Sequence, residues 1–388
     1  MKLLRLGLLI GVLLPSSLSS GQTSRQTKNA PAAKPVGAAK SPGFEALVKK
    51  ADAARESDQI GEAISLYRQV THANPRFVEG WWYLGTLFYE SDQYAEGQEA
   101  FRHVTGLNPE MALGWAMLGL CEFETKDFDR AMVHLERADA LKIPSEHDFH
   151  DVAKYHLALL LTRAGKFELA IRILADFAQR GKDDLPSREA MGLAALRKPL
   201  LPTELPPLER EIVLDVGRAM CDASARRAAD ADKDVSDLLA KYPNTPQIHF
   251  VAGTILLGSD PDRALEEWKA ELAISPSHPQ ALVSIAGEYV KRSEYEKALP
   301  YAEKAVTADP GFATTHVILG QALVKGDLDV TRGVRELETA VRLVPGQAQF
   351  HFALAAAYAR AGRKEDAARE RAEFLKLMGQ KEVAAKKP

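Results

Sequence analysis

The sequence contains few of the residues on which several classes of protein depend. It has only two cysteines, Cys121 and Cys221, which excludes a disulfide framework and a cysteine-rich metal domain. A formal net charge of −3 predicts no strongly basic face, so nucleic acid is not an expected ligand. Glycine-rich phosphate loops, HExxH, GxSxG and CxxCH motifs are also missing. We therefore expect no catalytic residue, no cofactor and no metal.

Long apolar runs are rare as well. The run at residues 6–14 follows the basic residues Lys2 and Arg5 and precedes small residues up to Gly21. This order is typical of a secretory signal peptide, and the run is too short to span a bilayer. We expect residues 1–21 to be cleaved near Gly21, which gives an exported, periplasmic or secreted protein with no transmembrane segment in the mature chain. A buried N-terminal helix is the alternative.

Two further segments have compositions that do not favour a packed core. Residues 22–43 are rich in Ala, Pro and Lys, and residues 22–41 contain no acid, which predicts a disordered linker. Residues 380–388 form a basic tail. The folded part is therefore expected between residues 44 and 379.

An internal repeat organises this folded part. Small residues recur at two places in each repeat, 12 residues apart in all repeats but one. The first small position reads Ala51, Gly85, Gly119, Ala158, Ala219, Ala252, Ala286, Gly320 and Ala355. The second reads Ala63, Gly97, Ala131, Ala170, Ala231, Ala264, Ala298, Gly333 and Ala367. Small side chains at both places predict two antiparallel helices, A and B, that cross closely. Prolines such as Pro75 and Pro109 end helix B.

Repeats two and three carry the clearest motif. Trp81, Leu84 and Gly85 in one, and Trp115, Leu118 and Gly119 in the next, resemble the Trp-x-x-Leu-Gly pattern of the tetratricopeptide repeat family, of the exported bacterial type. The resemblance implies an all-α fold, an α-solenoid superhelix of about nine helix-turn-helix repeats, and protein or peptide partners. It covers about residues 44–379.

One interruption divides the array. We expect an N-terminal block of four repeats at 44–180 and a C-terminal block of five at 212–379, with a Pro-rich insert at 181–211. A short helix is predicted at residues 187–196 with Ser187 as its N-cap, followed by extended chain. The insert either separates two blocks or forms a packed crossover within one continuous superhelix.

The loop after repeat three holds His147, Asp148, His150 and Asp151. Such a cluster can ligate a metal, but a polar loop that opens a helix has the same composition, and we favour that interpretation. Cys121 and Cys221 are too far apart in the array for a mutual disulfide, so both are interpreted as buried small apolar residues.

The resemblance also implies that helix A lines the concave face of the superhelix. Trp82 follows Trp81 directly and is expected to point away from the packing of Trp81. Lining positions, and positions one turn further on, give the candidate partner-binding residues Trp82, Tyr89, Phe123, Tyr155, His249, Val283, Val317 and Phe352. Alternatively, these side chains pack on the neighbouring helix A.

These observations favour a non-enzymatic scaffold that binds peptide or helical segments on its concave face, within an envelope assembly or a secretion complex. The alternatives are an accessory subunit of an enzyme complex and a carrier or sensor of a small ligand.

Overall fold

The computed structural model describes residues 42–145, 147 and 149–386. In this part of the chain the regular structure is helical, with 19 α-helices, two short 3₁₀ turns and no strand. The expected all-α solenoid of paired helices is confirmed. The expected signal peptide, nearly all of the linker and Asp148 lie outside the described residues.

The helices form two compact units. The N-terminal unit comprises the chain up to Phe177 together with Arg197–Pro206. Its helices alternate between helix A and helix B of repeats one to four, and α8 ends just past the boundary. They are α1 (Pro42–Glu56), α2 (Ile60–Ala73), α3 (Val78–Glu90), α4 (Tyr94–Leu107), α5 (Ala112–Glu124), α6 (Phe128–Leu141), α7 (Phe149–Arg163) and α8 (Phe167–Gln179).

The C-terminal unit comprises Ala178–Leu196 and the chain from Pro207 onwards. It begins with α9 and continues with the A and B helices of repeats five to nine. They are α9 (Leu185–Ala195), α10 (Arg210–Ser224), α11 (Ala228–Lys241), α12 (Ile248–Leu256), α13 (Pro261–Ile274), α14 (Pro279–Lys291), α15 (Tyr295–Ala308), α16 (Ala313–Lys325), α17 (Val330–Leu343), α18 (Ala348–Arg360) and α19 (Lys364–Lys386). The last helix therefore continues past residue 379, where the tail was expected to begin.

Small residues lie where the two helices of a repeat cross. A Cβ added to Gly119 on α5 would stand 2.8 Å from Cγ of Leu135 and 3.1 Å from the carbonyl oxygen of Ala131 on α6. The predicted partner position, Ala131, is itself fully buried. The small positions are thus a steric requirement of close helix packing.

Repeat six departs from the predicted register. Ala252 was expected at the close crossing, but Gly253 occupies it, because a Cβ at Gly253 would overlap the Trp268 ring and approach the carbonyl oxygen of Ala264 at 2.9 Å. Helix α12 has only 9 residues, and the turn after it is correspondingly displaced. Two adjacent small residues hid this one-residue shift from the sequence pattern.

The proline-rich insert is partly helical and tightly packed. Its helix α9 is capped by Asp184, whose side chain accepts from the Ser187 N–H, so the expectation that Ser187 is the N-cap is wrong. A Cβ at Gly192 on α9 would overlap the backbone of Val213 on α10. A Cβ at Gly217 on α10 would overlap the Arg188 carbonyl in the same way. Helices α9 and α10 therefore cross at backbone contact within the C-terminal unit.

Residues 197–206 of the insert belong to the N-terminal unit. Residues 202–204 and 207–209 form single 3₁₀ turns, where extended chain was predicted. Arg163 at the end of α7 holds this segment, because its Nη1 donates to both carboxylate oxygens of Glu204 at 2.6 Å. Glu204 also accepts from the Leu201 N–H at 2.8 Å. These bonds lower the pKa of Glu204 below its usual range, and the bond from the Leu201 N–H has the largest effect.

We predict that Gly192→Ala or Gly217→Ala destabilises the protein by at least about 2 kcal/mol, because the new methyl group overlaps backbone that cannot rotate away. Gly106→Ala is the matched control. Gly106 lies in α4 with open space around its Cα, so alanine should be neutral or stabilising by up to about 1 kcal/mol. Thermal unfolding followed by circular dichroism measures all three. Equal midpoints for Gly192→Ala and wild type would contradict the close crossing.

Candidate partner-binding surface

Helix A lines the inner side of each unit. Beyond consecutive helices, the most extensive contacts join successive A helices, namely α3 with α5, α5 with α7, α10 with α12, α14 with α16 and α16 with α18. Helices that crowd together in this way lie on the inside of a curved array. The surface offered to a partner on this side therefore consists of helix A residues that remain accessible.

In five of the repeats, one aromatic position joins helix A to the preceding turn. The ring N–H of Trp81 donates to the Pro75 carbonyl at 2.9 Å, and that of Trp115 donates to the Pro109 carbonyl at 2.8 Å. Histidine makes the same bond from Nε2 in three other repeats, to the carbonyl six residues earlier. The pairs are His249 with Pro243, His316 with Pro310 and His351 with Pro345. We call this contact the ring clasp.

The ring clasp reassigns one candidate. His249 was expected to face a partner in the groove, but it holds the ring clasp of repeat six and its Nδ1 lies 2.6 Å from Glu267. The register shift at Gly253 explains this, since it moves His249 to the position that Trp81 has in repeat two. His249 is therefore bound within its own repeat.

Three other candidates are buried. Trp82 is 3% exposed, and its ring packs edge-on against Phe101 at 5.7 Å. Tyr155 and Val317 are 8% and 9% exposed. The expectation that Trp82 points away from the packing is wrong, because it is Trp81 that lies at the surface, stacked on His103 at 3.9 Å. Adjacent tryptophans in one helix gave the sequence no means to tell which ring is inside.

Tyr89 and Phe123 are half-buried near the ends of α3 and α5. Tyr89 packs edge-on against Tyr94 at 5.5 Å, and Phe123 packs edge-on against Phe128 at 5.5 Å and His156 at 4.7 Å. Burial raises the pKa of Tyr89 and lowers that of His156, so both rings stay neutral near pH 7. Tyr89 and Phe123 are therefore packed mainly against neighbouring rings and offer a partner little exposed surface.

Among the apolar candidate residues of the C-terminal unit, Val283 and Phe352 are the accessible ones. Val283 is half-buried on α14, whereas Phe352 on α18 is 60% exposed. Behind it, Phe374 of α19 lies 5.4 Å away, centroid to centroid. Helix α18 is the last A helix in the described residues, so no further helix A covers Phe352.

The last residues of the A helices differ in charge, although not strictly by unit, since α7 ends in Arg163, α10 in Ser224 and α12 in Leu256. Helices α1, α3 and α5 end in Glu56, Glu90 and Glu124, whereas α14, α16 and α18 end in Lys291, Lys325 and Arg360. Cations at a helix C-terminus interact favourably with the helix dipole, and anions do not. The ends of α14, α16 and α18 consequently carry cationic side chains, of which Lys291 pairs with Glu288 and Arg360 with Asp327.

The loop singled out as a possible metal site lies next to a small cleft of about 160 Å³ between α6 and α7. Its polar lining is already paired, with Lys154 3.3 Å from Asp139 and His150 3.0 Å from Asp151. Among the described residues, no group of three or more His, Cys, Asp or Glu side chains is arranged to hold a metal ion. In the same part of the chain, no helix is both long and apolar enough to cross a bilayer.

The comparisons with known proteins agree with the repeat geometry. A model of the tetratricopeptide repeat matches residues 48–97, 84–145 and 319–372, so these segments are similar to the tetratricopeptide repeat. Similar solved structures include a MamA double mutant from strain RS-1, with 23% identity over 44% of this chain and 96% of that one, at a TM-score of 0.41. MamA 41-end from Desulfovibrio magneticus RS-1 has 23% identity over 43% and 96%, at a TM-score of 0.39. The sequence matches no curated protein.

Both cysteines are buried, as expected, and free. Burial raises the pKa of Cys221 to about 12 and also raises that of Cys121. Because the thiolate is the reactive form, we predict that neither thiol reacts with a disulfide reagent at pH 8 in the folded protein. Both should react within minutes in urea. A native thiol that reacts at the rate of the unfolded chain would show that its helix opens.

Proposed function

We propose that the chain is a non-enzymatic, exported interaction scaffold whose C-terminal unit binds an apolar segment of a partner protein at Phe352. The observation that carries this is a phenylalanine that is 60% exposed on the inner helix of the last repeat. Aromatic residues of this kind are the usual energetic anchors of protein interfaces. The similarity of three segments to the tetratricopeptide repeat supports a scaffold role.

Charge indicates the kind of segment. Lys291 and Arg360, at the ends of α14 and α18, are 69% and 47% exposed. Lys325 at the end of α16 is exposed too. A peptide or helix with an apolar face and acidic residues beside it would place an apolar side chain at Phe352 and carboxylates along this edge. The signal-peptide pattern of residues 1–21 supports a partner outside the cytoplasm, in an envelope assembly or secretion complex.

The test compares two substitutions of exposed apolar residues. Phe352→Asp should abolish capture of the partner from envelope extract by residues 22–388, while Val133→Asp should not. Val133 is a suitable control because it is 57% exposed on α6, a B helix of the N-terminal unit. Both variants should keep the thermal midpoint of wild type.

The captured protein, once purified, gives a quantitative result. Loss of an aromatic anchor costs about 2 kcal/mol or more, so its Kd should rise by roughly 30-fold for Phe352→Asp and stay within about twofold for Val133→Asp. Equal affinity for both variants would contradict binding at Phe352. If wild type captures nothing but is stabilised by a small molecule in a thermal-shift screen, the carrier function replaces the scaffold function.

A further inference from the structure

The three histidines of the ring clasp each have a second acceptor. Nδ1 of His249 lies 2.6 Å from a Glu267 carboxylate oxygen, Nδ1 of His316 lies 2.7 Å from Glu336, and Nδ1 of His351 lies 2.6 Å from Glu370. Nε2 of each ring is 2.8 to 3.0 Å from a proline carbonyl. Every ring therefore stands between a carboxylate on helix B and a carbonyl before helix A.

This arrangement determines how many protons each His–Glu pair must hold to make both hydrogen bonds. A carbonyl and an ionised carboxylate both accept hydrogen bonds, whereas a neutral imidazole carries one N–H and can serve only one of them. Both contacts are hydrogen bonds only when the pair holds one extra proton, as an imidazolium facing a carboxylate. Loss of that proton leaves one of the two contacts without a donor, either Nδ1 with the carboxylate at 2.6 to 2.7 Å or Nε2 with the carbonyl at 2.8 to 3.0 Å.

Other positions in the protein show the alternatives. His278 in the same unit accepts from the Ala281 N–H at Nδ1 and contacts the Gln247 side-chain oxygen through Nε2, which suits the neutral ring. Trp81 makes the ring clasp with an N–H that does not titrate. Repeat seven has Leu282, buried and apolar, at this position of α14. The extra proton is thus specific to repeats six, eight and nine.

The charged groups around the three pairs are few. Glu271 of α13 lies near His249 and accepts from the N–H groups of Gln247 and Phe250. Glu336 also has Arg332 at 4.0 Å on its own helix. Glu370 has the Tyr358 hydroxyl in its neighbourhood. The pairs themselves therefore contain the groups whose protonation changes.

We propose that the three His–Glu ring clasps make repeats six, eight and nine loosen when the shared proton is lost with rising pH, while the Trp81 ring clasp of repeat two keeps its N–H donor. Helix A of these repeats would then lose one of its two hydrogen bonds, either to helix B or to the preceding turn. The inference concerns the stability of the helices alone and does not depend on the proposed partner.

The direction of the His249 pKa shift agrees with a loss of stability as pH rises. Burial lowers its pKa, but the Glu267 carboxylate and the Pro243 carbonyl raise it by more, so the folded-state pKa lies above that of the unfolded chain. Such a group contributes stability that is fully present below the unfolded pKa and is lost as pH rises through the folded pKa.

Hydrogen exchange of residues 22–388, measured between pH 6 and pH 9, tests whether each helix loosens. The rates are corrected for the pH dependence of intrinsic exchange. Local measurement is needed because Asp234, whose pKa burial and Asp222 raise, gives the same unit a second pH dependence. We expect the opening constants of α12, α16 and α18 to rise by up to tenfold per pH unit. Those of α14 and α3 should change less, because the histidines beside these helices, His278 and His103, are not part of a ring clasp. Helix α5 is excluded as a reference, because Glu122 there contacts His134.

Two pairs of substitutions identify the proton. His316→Trp with His351→Trp replaces the ring clasp by the form that Trp81 uses and should remove the pH dependence of α16 and α18, leaving that of α12. Glu336→Gln with Glu370→Gln should do the same, because an amide N–H donates to a neutral Nδ1 without an added proton. Wild-type α16 and α18 that behave like α14, or a pH dependence unchanged in the glutamine variant, would overturn the proposal.

Discussion

The fold depends on one steric constraint, which is that two antiparallel helices cross at a distance that admits only glycine or alanine. Gly119 against Leu135 and Gly253 against Trp268 show the same contact in different repeats. The large side chains that fill the space around each crossing are buried because the crossing brings the helices so close. The constraint acts within one repeat of about 34 residues, so each repeat can form the same pair and stack on the next one. Even the insert obeys it, since α9 meets α10 at Gly192 and Gly217.

Because the constraint is local, the sequence carries most of the fold. Gly or Ala at fixed spacing predicted helix pairs and their number, and prolines predicted where the B helices end. The sequence was less informative where two neighbours satisfy the same rule. Ala252 and Gly253 are both small, and Trp81 and Trp82 are both aromatic, so periodicity alone could not tell which one faces the partner helix. In both cases the decision rests on three-dimensional packing, with Trp82 at 3% exposure and Trp81 bonded to Pro75 at the surface.

The same limit applies to the candidate surface. A position counted from the start of a repeat gives the side of helix A, but not how much of that side the next helix A covers. Val317 on α16 and Phe352 on α18 hold equivalent positions, yet one is 9% exposed and the other 60%. The difference arises because α16 contacts α18, whereas α18 has no following helix A in the described residues. Exposure therefore follows the place of a repeat in the array, which no single repeat encodes.

This difference in exposure distinguishes repeat nine from the repeats before it. The end of a solenoid usually carries polar residues, because it lacks the neighbour that buries the apolar face of every internal repeat. Helix α19 follows this rule on much of its surface, with Arg371 and Lys376 exposed, but Phe352 and Leu375 remain 60% and 66% exposed. A polar residue at Phe352 would remove exposed apolar area at the cost of its contact with the Phe374 ring. The proposed partner contact rests on these exposed apolar residues, and the ring clasp of His351, one residue before Phe352, holds the helix that carries Phe352.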